Sequence, residues 1–546
     1  MQSVKYSRRR FLEITAAAAG AAVIPLGETL AQTKAKFTRY NVASEGGKKA
    51  VASYAKGVEA MLKLPADHPQ NWFRNAFIHI LDCPHGNWWF YVWHRGYLGY
   101  FEETIRNLSG DAEFALPYWD WTMLPQVPDS FFNGVLTPRD TAFDPYTADL
   151  SVFTSFIKPA MTSYWNGLNS AQRAQLNSRG YTDFDSLWND VTGFDPHQKP
   201  PHGVSGNIAY AAPCGARYLT RGNPKLDAKT AYNVSEFVIY AGLLPTDFYS
   251  SEHNISFSSS KTPSHNTAPG GPDSFSVLEG LPHNKVHNCI GGVGPLDPGP
   301  YGYMTNFLSP VDPVFFLHHA NIDRLWDVWI RKQKRLNLPY LPAEPDLDTL
   351  SKEPFLFYVN GKGEYVASSQ AGEYLNMEKF DYDYEPGFGE KVVQPPAANA
   401  MVKALAMRPL TAAVKGNAAS VAIPTAAIKN HLAAALGPSL IANITLPRPS
   451  PASFVREFDV IVGAPTDVTE VSADSPYYAG TIAFFGRMSH MKNMPAEATF
   501  SIPLPKASGA FHSLAAETTT VNIRVVPSQG VREKAPILKG VSLHAL

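Results

Sequence analysis

His85-Gly86-Asn87-Trp88-Trp89-Phe90-Tyr91-Val92-Trp93-His94-Arg95-Gly96-Tyr97-Leu98-Gly99-Tyr100-Phe101-Glu102 is the stretch on which the reading of this chain turns. From His94 onward its texture is helical, and two histidines bracket a run of large aromatics. His79 lies just upstream, on a second predicted helix that runs from Asn71 to Leu81. Far along the chain, Leu281-Pro282-His283-Asn284-Lys285-Val286-His287 places two histidines four apart, on one face of a helix. Asp312-Pro313-Val314-Phe315-Phe316-Leu317-His318-His319-Ala320-Asn321-Ile322-Asp323 again sets histidines in an apolar helical run. Helices that each turn imidazoles inward can build a metal site in a bundle core.

Ligand chemistry narrows the metal. Neutral imidazoles suit zinc, copper, iron or nickel. No carboxylate recurs at ligand spacing, which argues against a ferritin-like di-iron centre. Asn284 rather than Glu follows His283, so the His-Glu-x-x-His peptidase signature is absent. No Cys-His-Met set points to a blue-copper centre. Two sets of three imidazoles with no protein anion fit a copper pair that cycles between Cu(I) and Cu(II) and binds oxygen between the metals. A zinc hydrolase stays open as a different class, separable by metal analysis.

The rest of the chain sets the frame. At 546 residues it has room for two to four domains of about 150 residues each. With 45% hydrophobic and 17% charged residues it can bury a large core and is not a disordered chain. A net charge of −1 argues against a nucleic-acid partner held by long-range charge. Three Cys cannot make a disulfide framework, and Cys214 and Cys289 receive no role. Residues 1–31 read as a twin-arginine-type signal peptide. Arg8-Arg9-Arg10-Phe11-Leu12 precedes an apolar stretch broken by Pro25, too short to span a bilayer, with Ala31 closing a small-residue cleavage site. Export to the periplasm or beyond follows from that reading, and no other stretch looks transmembrane. Residues 32–390 read as one mainly α catalytic domain with a helical-bundle metal core. Residues 391–450, rich in Ala and Pro, read as a linker with some helix. Residues 451–546, with short alternating runs bounded by turn residues, read as a small C-terminal β-sandwich-like domain.

The stretch from His85 to Glu102 resembles the copper A signature of the tyrosinase and polyphenol oxidase family, and Asp312 to Asp323 resembles its copper B signature. Tyr91 departs from the aliphatic residue or Phe more usual there. The resemblance covers about residues 36 to 390. It implies two copper ions, one held by His79, His85 and His94 and the other by His283, His287 and His319. His68 is the rival to His79. His318 then becomes a pocket residue. Cys83-Pro84-His85 has the form that in fungal relatives closes a thioether between Cys83 and His85. Glu279 and Asn284 correspond to the pair that holds a water and takes the proton from an entering phenol, with a helix-capping Glu279 and a solvent-facing Asn284 as the bland alternative. Phe315 corresponds to the ring that stacks on a copper B ligand beside the substrate. Tyr382-Asp383-Tyr384 resembles the motif that closes the catalytic domain, where Arg39 is the expected partner. Glu457-Phe458-Asp459-Val460 resembles a motif of the plant C-terminal domain, which covers the active site there.

What the resemblance implies is a copper monooxygenase/oxidase. It ortho-hydroxylates monophenols and oxidises o-diphenols to o-quinones with O2. A catechol oxidase lacking the first step and a hemocyanin-like oxygen carrier are the alternatives. Partners are phenolic and catecholic small molecules and O2. The sequence leaves open whether the chain forms a homo-oligomer. One cluster stands apart: Met488, His490, Met491 and Met494 offer thioether and imidazole groups suited to Cu(I), as a copper-loading loop or a plug, or else form an adaptable contact surface.

Overall fold

Each core helix is started and stopped by local chemistry. Helix α1 (Glu45–Lys63) begins at Ser44, whose hydroxyl accepts from the Gly47 amide. Helix α2 (Trp72–Asp82) begins at Asn71, whose side-chain oxygen accepts from the amides of Phe73 and Arg74. Helix α3 (Phe90–Ser109) stops at Gly110, where φ is 75° and a side chain would be strained. Helix α4 (Asn284–Gly291) and helix α5 (Val314–Leu336) complete the set that matters for the site. Every residue of α2 is buried, as is α5 from Val314 to Ile330, so both run through the core rather than along its surface. Helix α3 packs between α1 and α5. At Gly99 a Cβ would come within 2.3 Å of the Phe380 ring, so only glycine allows that approach.

The computed structural model describes residues 35–192, 217–251, 255–267, 273–292, 302–394, 408–449, 455–486, 495–507, 511, 516–528 and 534–546. Residues from Phe37 to Leu546 form one compact unit. The predicted signal segment, Cys214 and the Met488 to Met494 cluster lie outside the described residues. Among the described residues, no helix is long and apolar enough to cross a membrane.

The two ends of the helical region are tied together. Strand β1 (Phe37–Arg39) runs parallel to strand β3 (Tyr382–Tyr384), both short. The Arg39 guanidinium lies 3.6 Å from the Tyr382 ring centre and donates to the Tyr384 hydroxyl at 2.9 Å, the expected meeting. Arg39 also pairs with Glu102 at 2.9 Å and Asp323 at 3.2 Å, and Arg95 pairs with Asp323 at 2.7 Å. All four are buried, so deleting one partner would strand a charge at a cost of about 3–5 kcal/mol. The network fixes α3 against α5.

The C-terminal part is a pair of five-stranded sheets. One has the order β9-β8-β11-β6-β5, where β5 is Ala413–Lys415, β6 Ala418–Pro424, β8 Glu457–Val462, β9 Tyr478–Ala483 and β11 Thr518–Pro527. The other has the order β2-β10-β7-β12-β4, where β2 is Asp273–Phe275, β4 Leu410–Thr411, β7 Leu440–Pro447, β10 Glu497–Pro503 and β12 Gly540–Ala545. Two corrections follow. The expected linker, 391–450, holds the expected helix at Thr425–Ala433 but also supplies β4 to β7, so the β region begins near residue 410 rather than 451. Small residues such as Ala418 and Ala419 hid the alternation of β6. Strand β2 comes from the catalytic stretch yet pairs in parallel with β10, so the two regions share a sheet. Strands β8 and β9 are buried along their whole length. Strand β9 packs on the turn that carries His283 and on α4.

Candidate metal centre

Among the described residues, seven histidines meet in the core. His79 projects from α2, His94 from α3, His287 from α4, and His318 and His319 from α5. Two supports differ from the all-helix expectation. His85 sits on the loop between α2 and α3, because Pro84 lacks an amide donor and Gly86 takes a φ of 72°. His283 closes a π-helical turn, Glu279–His283, that contains Pro282 and runs straight into α4. The four-residue spacing still holds the His283 and His287 rings 4.6 Å apart.

The imidazoles fall into two adjoining sets. His79, His85 and His94 bring ligand nitrogens within 4.8 Å of one another, and so do His283, His287, His318 and His319. Ring centres in the first set are 5.4–5.6 Å apart. The sets touch where His94 stacks on His319, with centres 4.2 Å apart and planes 9° apart. His85 lies 5.5 Å from His283.

Backbone carbonyls fix three of the tautomers. A carbonyl oxygen only accepts, so an imidazole nitrogen beside it must carry the hydrogen. Nδ1 of His79 donates to the Phe307 carbonyl, Nδ1 of His94 to Phe90 and Nδ1 of His287 to Met304, each at 2.7 Å. Nδ1 of His283 donates to the Asn284 side-chain oxygen at 2.8 Å. That leaves their Nε2 lone pairs free. Nε2 of His79, His85, His94 and His283 is buried without a hydrogen-bond partner, and Nε2 of His287 faces Nε2 of His319 at 3.1 Å. Burial drives His79 and His283 down to about 3, and His85, His94, His287, His318 and His319 well below the ordinary imidazole range. Buried, neutral, converging lone pairs with no protein donor are unfavourable alone and are what a soft or borderline metal ion satisfies. Four of the rings are oriented by hydrogen bonds from Nδ1, as in metal sites generally.

A family model described as the common central domain of tyrosinase matches residues 55–332. The chain belongs to the tyrosinase family. Its relatives include polyphenol oxidase II, chloroplastic, of Ipomoea batatas, 25% identical over 357 residues that make up 62% of this chain and 48% of that protein. Tyrosinase HcTyr1 of Hahella sp. (strain CCB-MM4) is 29% identical over 267 residues, 47% of this chain and 39% of that protein. The chain thus spans about half the length of these relatives or less. Among solved structures, latent aurone synthase (polyphenol oxidase) from natural source superposes with a TM-score of 0.55 at 20% identity, covering 94% of this chain and 90% of that one, a likeness of fold. The tyrosinase family binds a dinuclear type 3 copper centre, and the two histidine sets fit that centre in donor type, burial and proximity.

The other residues named from the sequence fall around this tyrosinase-family site. Cys83 is buried, with Sγ 3.4 Å from Nδ1 of His85. Burial pushes its thiol well above the usual range. Phe315 lies with its ring centre 4.2 Å from that of His319 and edge-on to His79 at 5.1 Å. His318 is buried and accepts the Trp121 indole N–H at Nδ1, 2.8 Å away. His68 lies in the turn before α2, where its Nδ1 accepts from the Gln70 amide, and it joins neither set. Tyr91 stacks on Phe257 with centres 4.7 Å apart, a packing role.

Glu279 and Asn284 are both buried, which removes the solvent-facing reading of Asn284. Glu279 does not cap its turn. Its carboxylate accepts from the Gly86 amide at 2.6 Å and from the Ser259 hydroxyl. Burial outweighs these two bonds and raises Glu279 to about 8. The Asn284 amide donates to the Ala483 carbonyl of β9 at 2.9 Å, while its oxygen holds His283.

Three features escaped the sequence reading. Phe485, just past β9, enters the histidine cluster: its ring centre lies 4.2 Å from His287, 5.1 Å from His85 and 5.6 Å from His283. The C-terminal region also grips α4. Lys285 donates to Glu457 at 2.8 Å, and Asn288 donates to Glu457 at 3.2 Å and to the Phe484 carbonyl at 3.3 Å. Trp121 reaches His318. The Phe484-Phe485 pair at the end of an apolar strand was the only trace of the first. Glu457 stood in a motif already singled out, but its partner was invisible.

Proposed function

We propose that this chain is a copper monooxygenase and oxidase that ortho-hydroxylates monophenols and oxidises o-diphenols to o-quinones with O2. The observation that carries the reading is the convergence of six imidazoles, His79, His85, His94, His283, His287 and His319, all buried except the half-buried His85, as two sets of three in contact. These are the proposed copper ligands. The copper pair, when bound, supplies oxygen activation and electron transfer.

The chain's own groups do the rest. Carbonyls of Phe307, Phe90 and Met304 hold three rings in the tautomer that leaves Nε2 free. Phe315 keeps the His319 side of the site dry. Glu279, buried and raised to about 8, is the proposed proton acceptor for an entering phenol, through water shared with Asn284. A Cys83–His85 thioether belongs to the same proposal, supported by Sγ lying 3.4 Å from Nδ1 of His85; forming it removes two hydrogens with O2 as the two-electron oxidant, and intact-mass measurement detects that loss. The catechol-oxidase alternative draws on one observation: both ends of the Asn284 amide are already engaged.

The C-terminal region is read as a lid with Phe485 as its plug. With Phe485 in place, the cavity lined by Cys83, His85, Asn284, Phe307 and Phe485 measures about 70 Å³. Phe485 packs directly on the rings of His287, His85 and His283, so a phenol that approaches those rings needs the plug to move. The solved latent aurone synthase, whose fold this chain shares, supports this reading. The same account has residues 1–31 removed on export.

Tyrosine or another monophenol, supplied without added diphenol, tests the activity. Oxygen uptake with quinone formation from the monophenol is expected. Turnover of diphenols alone would leave the catechol oxidase, and reversible oxygenation without quinone would leave a carrier.

A further inference from the structure

We infer that Trp121 decides which of two neighbouring histidines binds copper, by donating its indole N–H to His318 and so denying that ring a free lone pair. The inference rests on the copper reading above and goes beyond it. His318 and His319 are adjacent on α5, both fully buried, and a nitrogen of each lies within 4.8 Å of the ligand nitrogens of His283 and His287. Burial and proximity alone therefore offer four imidazoles to the second site where a set of three suffices.

An indole N–H only donates. At 2.8 Å from Nδ1 of His318, it requires that Nδ1 carry the lone pair. A neutral His318 then bears its hydrogen on Nε2. Whichever nitrogen faces the cluster, neither has a free pair: Nδ1 is occupied by Trp121 and Nε2 is protonated. His79, His94, His283 and His287 have the opposite arrangement, with Nδ1 donating to oxygen. No carboxylate contacts the His318 ring among the described residues to favour a charged form, and the imidazoles of His283, His287 and His319 surround it at ring-centre distances of 5.4, 4.8 and 5.1 Å.

Trp121 is itself held rigidly enough to serve. It is fully buried, and its segment is docked directly on α5 through the Trp119 amide, which donates to the Leu317 carbonyl at 3.1 Å. That bond sits one residue before His318, so the donor and the ring it controls share one anchor. Trp121 is thus a positioning residue: it acts on the metal site only through His318.

The test uses the full-length protein loaded with Cu(I), which is diamagnetic, and labelled with 15N-histidine. Copper content is measured on the same sample, and the His318 signals are assigned by His318→Gln. In the wild type, His318 should show a protonated Nε2 and an unprotonated Nδ1. In Trp121→Phe one additional imidazole, His318, should become coordinated, with its hydrogen on the nitrogen that does not bind copper. Adding His318→Gln to Trp121→Phe should return the coordinated set to that of the wild type. A wild-type His318 protonated at Nδ1, or one unchanged by Trp121→Phe, would overturn the inference. Should Trp121→Phe fail to fold, the wild-type tautomer decides alone. A wild type that binds no copper pair counts against the copper reading instead, while its His318 tautomer still reports on Trp121.

Discussion

Replacing Phe485 by Ala should convert a closed chain into an open one. The ring is half-buried against His287, His85, His283 and Phe307, with centres 4.2, 5.1, 5.6 and 5.3 Å away. A Phe side chain buries about 150–250 Å² when fully enclosed, so half of that is roughly 100 Å². At about 25 cal/mol per Å², the contact holds the lid shut by roughly 2.5 kcal/mol. With about 1.4 kcal/mol per tenfold, losing it raises the accessible fraction by about 60-fold. The assay is kcat/KM for a diphenol on the full-length chain, with copper content and unfolding midpoint measured on the same preparation. Phe485→Ala should raise kcat/KM by about that factor while copper content stays unchanged. Phe485→Trp should leave the chain closed. A Phe485→Ala protein with full copper and unchanged kcat/KM would refute the plug.

Glu279→Gln should lower monophenol turnover far more than diphenol turnover, since a diphenol loses its proton more readily; equal losses would remove Glu279 from proton transfer. Glu457→Gln should lower the unfolding midpoint, because the Lys285–Glu457 pair is buried on both sides and breaking such a pair costs about 3–5 kcal/mol. Copper retention should fall with it, since Lys285 lies between His283 and His287; an unchanged midpoint would show that the lid does not brace α4. In the copper-free chain, urea stability should peak near pH 6.5, fall as pH drops towards about 3 as the clustered histidines take over, and fall slightly towards pH 8 as the raised Glu279 ionises. The sign follows from the depressed values of His79 and His283: the unfolded chain takes up protons that the folded one refuses. Copper loading should move the onset of the acid-side fall to lower pH, and stability that grew on acidification below pH 6.5 would contradict the neutral cluster.

Much of the core was legible because it depends on short-range pattern. His283 and His287 at one helical spacing, and aromatic runs around His94 and His319, mark buried helices whose polar residues need a partner. The five late strands were legible for the same reason, since alternation is local. The linker reading failed where small residues blurred that alternation, in Ala418 to Pro424. Long-range pairings were not legible. Nothing near Asp273 announces that β2 will pair with β10, more than 200 residues on, and nothing near Phe485 names His287 as its neighbour. His85 on a loop was foreshadowed by Pro84 and Gly86, whose backbone limits outweigh the helical texture that follows. The exclusion of His318 rests on Trp121, a residue in an aromatic cluster whose single polar atom gives no hint of direction.

Metal analysis of the full-length protein, alongside His94→Asn and His287→Asn, tests the central claim most directly. Two copper ions per chain are predicted for the wild type, and loss of copper from the corresponding set in each variant. Zinc alone, or copper content indifferent to both substitutions, would contradict it.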